Sequence, residues 1–551
     1  MDDHNFFLRR LLIVLFSLSL LIRILGLTWG DGLFFHPDEN NMARSIVLME
    51  FPKLDPQFYA YGQLSLFLVY FPNLILGRKE VNFNQAVYGL RLWSAIFSTL
   101  TIVIGYLLAK SLFKKEKLAL LYAFLLAFTP GLIQQAHFGT TESILTFVLL
   151  SLTYVFYKTV KKEEISLLNI FLMGLLAGMG LATKISAGIF ILPIFIGFII
   201  ILFINKNRSE FLVKIIIFVF FTILFFFLFS PFYFLKWQES LSVIKYETQV
   251  ATGKILVFYT RQFFDTMPII FQLSKIFPWA MGLPMFLLFI FGLVIFLVTL
   301  PASWHRRPGL LIRQLRGAVG RSALFLGSFI SQAGRMSLLL PFSWLLGNVF
   351  LFVKWTRFIT PLLPFSVLLV VYFFDFIEGR LKRPGIIFFL LLFTILPGII
   401  FLKIYLEPDI RIRATKWMNE NLTDKDLILA ETGNVIDLPI LNTKNFQVIN
   451  FDFYQLEEDQ KKQEELATLI QEADYFLLPS RRVFANHSRK RFPKTYEFYQ
   501  QLFSGNLGFV LLKEFKVFNR WEEILLGSDL SAEETWTVFD HPTIRLYKKM
   551  N

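Results

Sequence analysis

Residues 213–231 read VKIIIFVFFTILFFFLFSP, with Lys214 as the only charge. A helix needs about 20 mostly apolar residues to cross the hydrocarbon layer of a bilayer. This run meets that length. Comparable stretches lie near 11–28, 88–110, 118–133, 143–158, 167–182, 185–204, 277–299, 323–353, 357–376 and 384–403. An all-α polytopic membrane domain of about 11 transmembrane helices is therefore predicted. Composition agrees. Of 551 residues, 55% are apolar, 17% are charged and 67 are phenylalanine. Soluble chains carry about 25% charged residues, and a soluble core stops growing near ~250–300 residues. The chain has no Cys, which excludes disulfides and thiolate chemistry.

Charge placement excludes nucleic acid and gives an orientation. Residues 411–551 hold 19 Lys+Arg against 21 Asp+Glu, which leaves 36 against 20 in residues 1–410. The basic excess thus belongs to the apolar part, whereas a nucleic-acid binder concentrates it in a soluble patch. Short basic clusters between spans mark the cytoplasmic side. Lys114, Lys115 and Lys117 form one such cluster; Lys158, Lys161 and Lys162 form the next. Lys206 and Arg208, a basic segment over 300–322, and Arg380, Lys382 and Arg383 continue the series. With these inside, the N-terminus is cytoplasmic. Loop 29–87, the short turns at 133–142, 182–185 and 353–357, loop 232–276 and everything after 404 are then external. The first span runs into Arg23 without a small-residue cleavage site, as an uncleaved anchor would. The stretch 64–77 is too short to span and is expected to lie at the interface.

The tail changes character. Helical stretches at 411–421 and 458–471 alternate with apolar runs at 427–430, 475–479, 509–512 and 543–549. That alternation predicts a small C-terminal α/β extracytoplasmic domain over 405–551, after a membrane domain over 1–404.

The residues that could carry chemistry gather on the external side. His36-Pro37-Asp38-Glu39 sets two carboxylates and an imidazole just after the first span. The bland reading is a solvated turn in which Pro37 fixes the backbone and Asp38 caps a helix from Asn40. Tyr59, Tyr61 and Gln63 follow, where an aromatic belt at the headgroups is the plain alternative. His137 and Glu142 sit at the outer end of a span, where ionisable groups are rare and face a cavity or one another. Lys184, Lys354 and Arg357 lie between spans on the external face, against the charge trend. They either snorkel to headgroups or hold a phosphate. Arg261, beside aromatics in the second external loop, is a fourth such cation. No Gly-rich nucleotide loop is present. A donor already in the membrane, a sugar on a lipid phosphate, suits acidic and cationic groups meeting at its surface.

Several phrases together resemble the GT-C superfamily of polyprenyl-phosphate-sugar glycosyltransferases. The resemblance is to prokaryotic relatives of the protein O-mannosyltransferases and of the aminoarabinose lipid A transferase. The phrases are FHPDEN at 35–40, YGQLSLFL at 61–68, QQAHFGTTESILTF at 134–147 and GLATKISAGIFILP at 180–193. RQFFDTMP at 261–268, KWTRFITPLLPF at 354–365, DIRIRATKWMNENL at 409–422 and FDHPTIRLYKK at 539–549 complete the set. Segment 301–340 departs from the likeness.

The resemblance implies an essential acidic pair in the first external loop, here Asp38 and Glu39, with Asp38 as general base. Glu142 stands where the family often shows a second acidic residue. Lys184, Lys354, Arg357 and Arg261 would bind the donor phosphate, and His36, Tyr59, Tyr61, Gln63 and His137 would line the substrate. Some relatives use a divalent cation and others do not; the residue types here leave the metal open. The implied partners are a polyprenyl-phosphate-linked sugar donor, an extracytoplasmic acceptor and the lipid bilayer, without nucleic acid. The implied address is a cell membrane, plasma or inner. A transporter or flippase for lipid-linked sugars is the alternative. It would place charges or broken helices near mid-membrane, often in repeated halves, and no repeat is evident.

Overall fold

The computed structural model describes residues 2–78, 80–161, 166–204, 208–304, 332–378, 380, 383–432, 438 and 446–550. Helices dominate up to residue 421. In chain order they begin with α1 (Asp2–Ile24), α2 (Pro37–Val47), α3 (Leu64–Ile75), α4 (Phe83–Phe113) and α5 (Glu116–Ala127). They continue with α6 (Pro130–His137), α7 (Glu142–Lys161), α8 (Leu167–Thr183), α9 (Gly188–Ile204) and α10 (Arg208–Phe229). Each of the apolar stretches predicted to span carries a helix. Among the described residues, six are long and apolar enough to cross a membrane, or seven if the bent pair α5–α6 counts as one. The chain is a multi-pass membrane protein. The basic segment at 300–322 lies almost wholly outside the described residues.

The α5–α6 break has a local cause. Thr129-Pro130 interrupts the ladder and the axis turns by 53°; proline is tolerated there because the first helical position has no N–H bond to lose. The freed carbonyls of Leu126 and Ala127 accept from Arg23 of α1 at 3.3 Å each, and Arg23 Nε donates to Ser98 Oγ at 2.7 Å. The arginine inside the first span is thereby buried and satisfied.

The tail forms a five-stranded sheet in the order β2-β1-β3-β5-β4. Its strands are β1 (Leu427–Thr432), β2 (Gln447–Asp452), β3 (Tyr475–Leu478), β4 (Phe509–Phe515) and β5 (Ile544–Lys549). β1 pairs in parallel with β2 and β3, and β5 runs antiparallel to β3 and β4. The helix Gln460–Glu472 makes the crossover that a parallel β2-to-β3 connection requires. The sheet domain packs on the helices through buried polar contacts. Gln134 Nε2 donates to the Trp536 carbonyl at 2.8 Å, Tyr405 Oη to Asp540 at 2.7 Å and Arg411 to the Phe539 carbonyl at 2.7 Å.

Candidate active site

Helix α2 begins at Pro37, with His36 extended at its N-cap, so Asp38 and Glu39 lie in its first turn rather than ahead of it. Carboxylates are favoured there by the helix dipole. Successive residues of a helix point about 100° apart, and the two acids diverge accordingly. Glu39 turns inward and is fully buried. Arg91 of α4 grips it with Nε at 2.7 Å and Nη2 at 2.8 Å, and the Gly139 N–H donates to it at 2.8 Å. A Cβ on Gly139 would stand 2.9 Å from that carboxylate oxygen and 2.7 Å from Leu90 Cβ. Arg91 Nη1 donates to the Leu27 and Trp29 carbonyls at 2.7 and 2.9 Å.

Asp38 turns the other way. Its Oδ2 accepts from Tyr61 Oη at 3.0 Å and from an Arg357 guanidinium N–H, while Arg357 also reaches Tyr61 Oη at 3.1 Å. Tyr61 is delivered by a close crossing. The next residue, Gly62, lies so near the end of α8 that a Cβ there would be 1.9 Å from the Ala182 carbonyl. Burial pushes the Asp38 carboxyl up, but the Arg357 charge, His36 and the Tyr61 hydrogen bond outweigh it and hold it below the usual carboxylate range. A second pair stands beside the first. Lys184 Nζ is 3.4 Å from Glu142 Oε1 and 5.1 Å from the Tyr61 ring centre. Burial lowers the Lys184 ammonium against the pull of Glu142.

Asp38, Tyr61, Arg357 and Glu142 face a cavity of about 380 Å³, and Lys184 is not among its lining residues; the volume lies within the ~300–1,000 Å³ range of small-molecule sites. His36, Asp38, Tyr61, Glu142 and Arg357 line it, with Gln134 and Gln135. His36 lies between the rings of Phe138 and Phe539 at 4.6 and 4.5 Å, and burial lowers its imidazole against the pull of Asp38 and Glu39. Its Nδ1 has no hydrogen-bond partner among the described residues.

Other residues singled out in the sequence do not line the cavity. Lys354 donates to the Phe352 carbonyl at 2.9 Å. Arg261 turns to the tail, donating to the Tyr454 carbonyl at 3.1 Å and meeting His487 Nε2 at 2.6 Å. His137 stacks on Tyr405 at 3.7 Å, both its ring nitrogens on backbone carbonyls. Tyr59 donates to Asp55 at 2.9 Å. Gln63 bridges to Ser230 and Phe232, each at 3.0 Å. Lys354, Arg261, His137 and Tyr59 thus turn polar atoms to protein partners away from the cavity, while Gln63 Nε2 has no hydrogen-bond partner among the described residues.

Sequence reasoning missed several lining residues. Glu247 belongs to the helix Trp237–Ala251, and partial burial raises its carboxyl although the Arg357 charge opposes this. Trp355 packs its ring 4.5 Å from the Arg357 guanidinium. Arg482, Thr535 and Phe539 come from the tail. No local signal marks them, since only the tertiary fold brings them to the wall. Arg91 did carry a signal, a charge near the start of a predicted span. Among the described residues no group of three or more His, Asp or Glu side chains is placed to hold a metal ion. The partner of Asp38 is a guanidinium, which does not fit a cation.

Residues 82–235 match the family model described as dolichyl-phosphate-mannose-protein mannosyltransferase. Over that segment the resemblance read from the motifs is borne out. No curated protein matches the sequence. Among solved structures, the archaeal oligosaccharyltransferase AglB from Archaeoglobus fulgidus, in complex with an inhibitory peptide and a dolichol-phosphate, is similar. It is 13% identical with a TM-score of 0.49, over 90% of this chain and 72% of that one. ArnT from Cupriavidus metallidurans, bound to undecaprenyl phosphate, is 11% identical with a TM-score of 0.45, over 97% of each chain.

Proposed function

We propose that this chain is a membrane glycosyltransferase that moves a sugar from a polyprenyl-phosphate carrier to an extracytoplasmic acceptor. One observation carries the reading: Asp38 and Arg357, from distant parts of the chain, face one cavity at the ends of apolar helices. The match of residues 82–235 to a family of lipid-phosphate-sugar transferases supports transfer over transport. In this reading Asp38 removes the proton of an acceptor hydroxyl or amine as that atom attacks the anomeric carbon. The bond from that carbon to the lipid-phosphate oxygen breaks on the opposite face, and its electron pair leaves with the phosphate. A single displacement inverts the anomeric centre. Before donor binds, Arg357 holds Asp38 ionised. The entering phosphate competes for Arg357, and fixed cations stabilise the charge that develops on it. Lys184 and Glu142 supply the second acid–cation pair beside the same tyrosine.

The same proposal sets the N-terminus in the cytoplasm, and the cavity and the domain from residue 405 on the outer side of a cell membrane. The decisive experiment is transfer by purified protein in liposomes, with radiolabelled polyprenyl-phosphate mannose as donor and cell-envelope extract as acceptor. Label appearing on acceptor only with intact Asp38 is expected. Label carried across the bilayer without leaving the lipid would replace transfer with transport.

A further inference from the structure

Glu533, in the C-terminal domain, joins that domain to the cavity wall. Its side chain is buried, and its carboxylate accepts five hydrogen bonds. Oε2 takes the Thr356 N–H at 3.0 Å, the Thr356 hydroxyl at 2.8 Å and the Thr535 hydroxyl at 2.5 Å. Oε1 takes Gln262 Nε2 at 2.7 Å and the Thr535 N–H at 3.0 Å. Backbone bonds lock the joint from behind: the Glu534 N–H donates to Gln262 Oε1 at 3.1 Å and the Glu533 N–H to the Lys275 carbonyl at 2.9 Å. Thr356 opens the helical turn Thr356–Ile359, whose second residue is Arg357. A tail carboxylate thus fixes the backbone one residue ahead of the guanidinium that meets Asp38. Thr356 and Thr535, both bonded to it, line the cavity themselves.

The choice of residue is informative. Burying a carboxylate is costly unless its lone pairs are filled, and every donor here is neutral. An ionised carboxylate is the side chain that accepts at both ends and donates at neither. A glutamine would aim an N–H group at one set of donors. We propose that Glu533 is a positioning residue for Arg357, and that the C-terminal domain is in this way part of the donor-phosphate site. The inference rests on the reading of Arg357 as the phosphate-binding cation.

The test uses the full chain in detergent, with undecaprenyl phosphate as the probe and tryptophan fluorescence as the readout, since Trp355 packs on Arg357. Donor and acceptor KM are measured alongside. Glu533→Gln is expected to weaken probe affinity and raise donor KM about tenfold, the scale of one charge-assisted hydrogen bond, with acceptor KM unchanged. A merely structural role would lower the yield of folded protein and leave KM alone. Thr356→Val, which removes only the hydroxyl contact, is expected to give about a threefold effect in the same direction. It carries the test if Glu533→Gln does not fold. Arg357→Gln separates the two readings. Weak binding by Arg357→Gln with wild-type binding by the Glu533 and Thr356 variants overturns the positioning role alone. Wild-type binding by Arg357→Gln overturns the phosphate site, and the positioning role with it.

Discussion

Asp38 and Glu39 are adjacent in sequence and meet opposite environments. Glu39 and Arg91 have fully buried side chains, and the carboxylate accepts three hydrogen bonds while the guanidinium donates four. Asp38 and Arg357 are each 24% exposed and border a cavity. The first pair ties α2 to α4 and the α6–α7 turn. The second ties α2 to a distant span end on the cavity wall. An acidic pair in a loop is therefore two devices, and a 100° rotation of the helix separates them.

The comparison breaks most visibly at the buried pair. Removing one partner of such a pair costs about 3–5 kcal/mol, because the other charge is left buried and unpaired. Glu39→Gln and Arg91→Gln are therefore expected to lower the melting temperature strongly. A thermal melt within error of wild type would mean that Glu39 is not the structural member. Asp38→Asn, at the open pair, is expected to do the reverse. Stability should change by about 1 kcal/mol or less, as for exposed pairs, while transfer falls at least ~10²-fold, the scale of a lost general base. Near-normal turnover in folded Asp38→Asn would remove Asp38 from the chemistry. Arg357→Gln comes next, with donor binding about tenfold to a hundredfold weaker, from roughly 1.5–3 kcal/mol for a charged hydrogen bond.

Acid and base sharpen the contrast further. His541 in the tail is enclosed by Asp540 and Asp529, while Gln134 and Tyr405 reach Asp540 from the membrane helices. Burial alone would lower its imidazole, but the two carboxylates raise it to about 10. A raised folded value stabilises fully below the unfolded value of ~6.5 and is lost as pH climbs through the folded one. The melting temperature is expected to fall between pH ~6.5 and about 10, and His541→Asn should flatten that limb. The depressed Asp38 carboxyl has the opposite sign: its contribution is lost as pH falls. A wild-type melt insensitive to alkaline pH would refute the His541 assignment.

Much of the fold was legible because burial in lipid leaves long apolar runs. The tail strands at 427–430, 475–479, 509–512 and 543–549 were legible too, and became β1, β3, β4 and β5. β2 was not. It is an edge strand whose residues alternate little and are mostly part-exposed, so it needs no apolar run. In the site, Tyr61 was explicable as part of an aromatic belt, whereas the acidic pair and Arg357 stood out as charges against the membrane pattern. The division of labour between Asp38 and Glu39 did not, since it depends on Arg91 52 residues away. Glu247 and Glu533 sit in ordinary polar sequence, and only tertiary contacts distinguish them.

The smallest expected effect separates two cations of one turn. Lys354 and Arg357 are three residues apart and were equally attractive as phosphate ligands in the sequence. In the fold, the Lys354 ammonium is spent on the Phe352 carbonyl, and burial lowers its charge affinity. Arg357 has its guanidinium on the cavity wall against Trp355. An ammonium is a strongly hydrated point charge, whereas the planar guanidinium stacks on an aromatic face and still presents a fork of donors. The second geometry suits a phosphate entering beside a carboxylate. Lys354→Gln can still donate to the Phe352 carbonyl through its amide, so the turn is kept while the charge is lost. Donor affinity is therefore expected to change less than about twofold, within the ~0.5 kcal/mol typical of substitutions remote from a site. A tenfold loss would mean that Lys354 swings from its carbonyl to the phosphate when donor binds, and the two cations would then be one device.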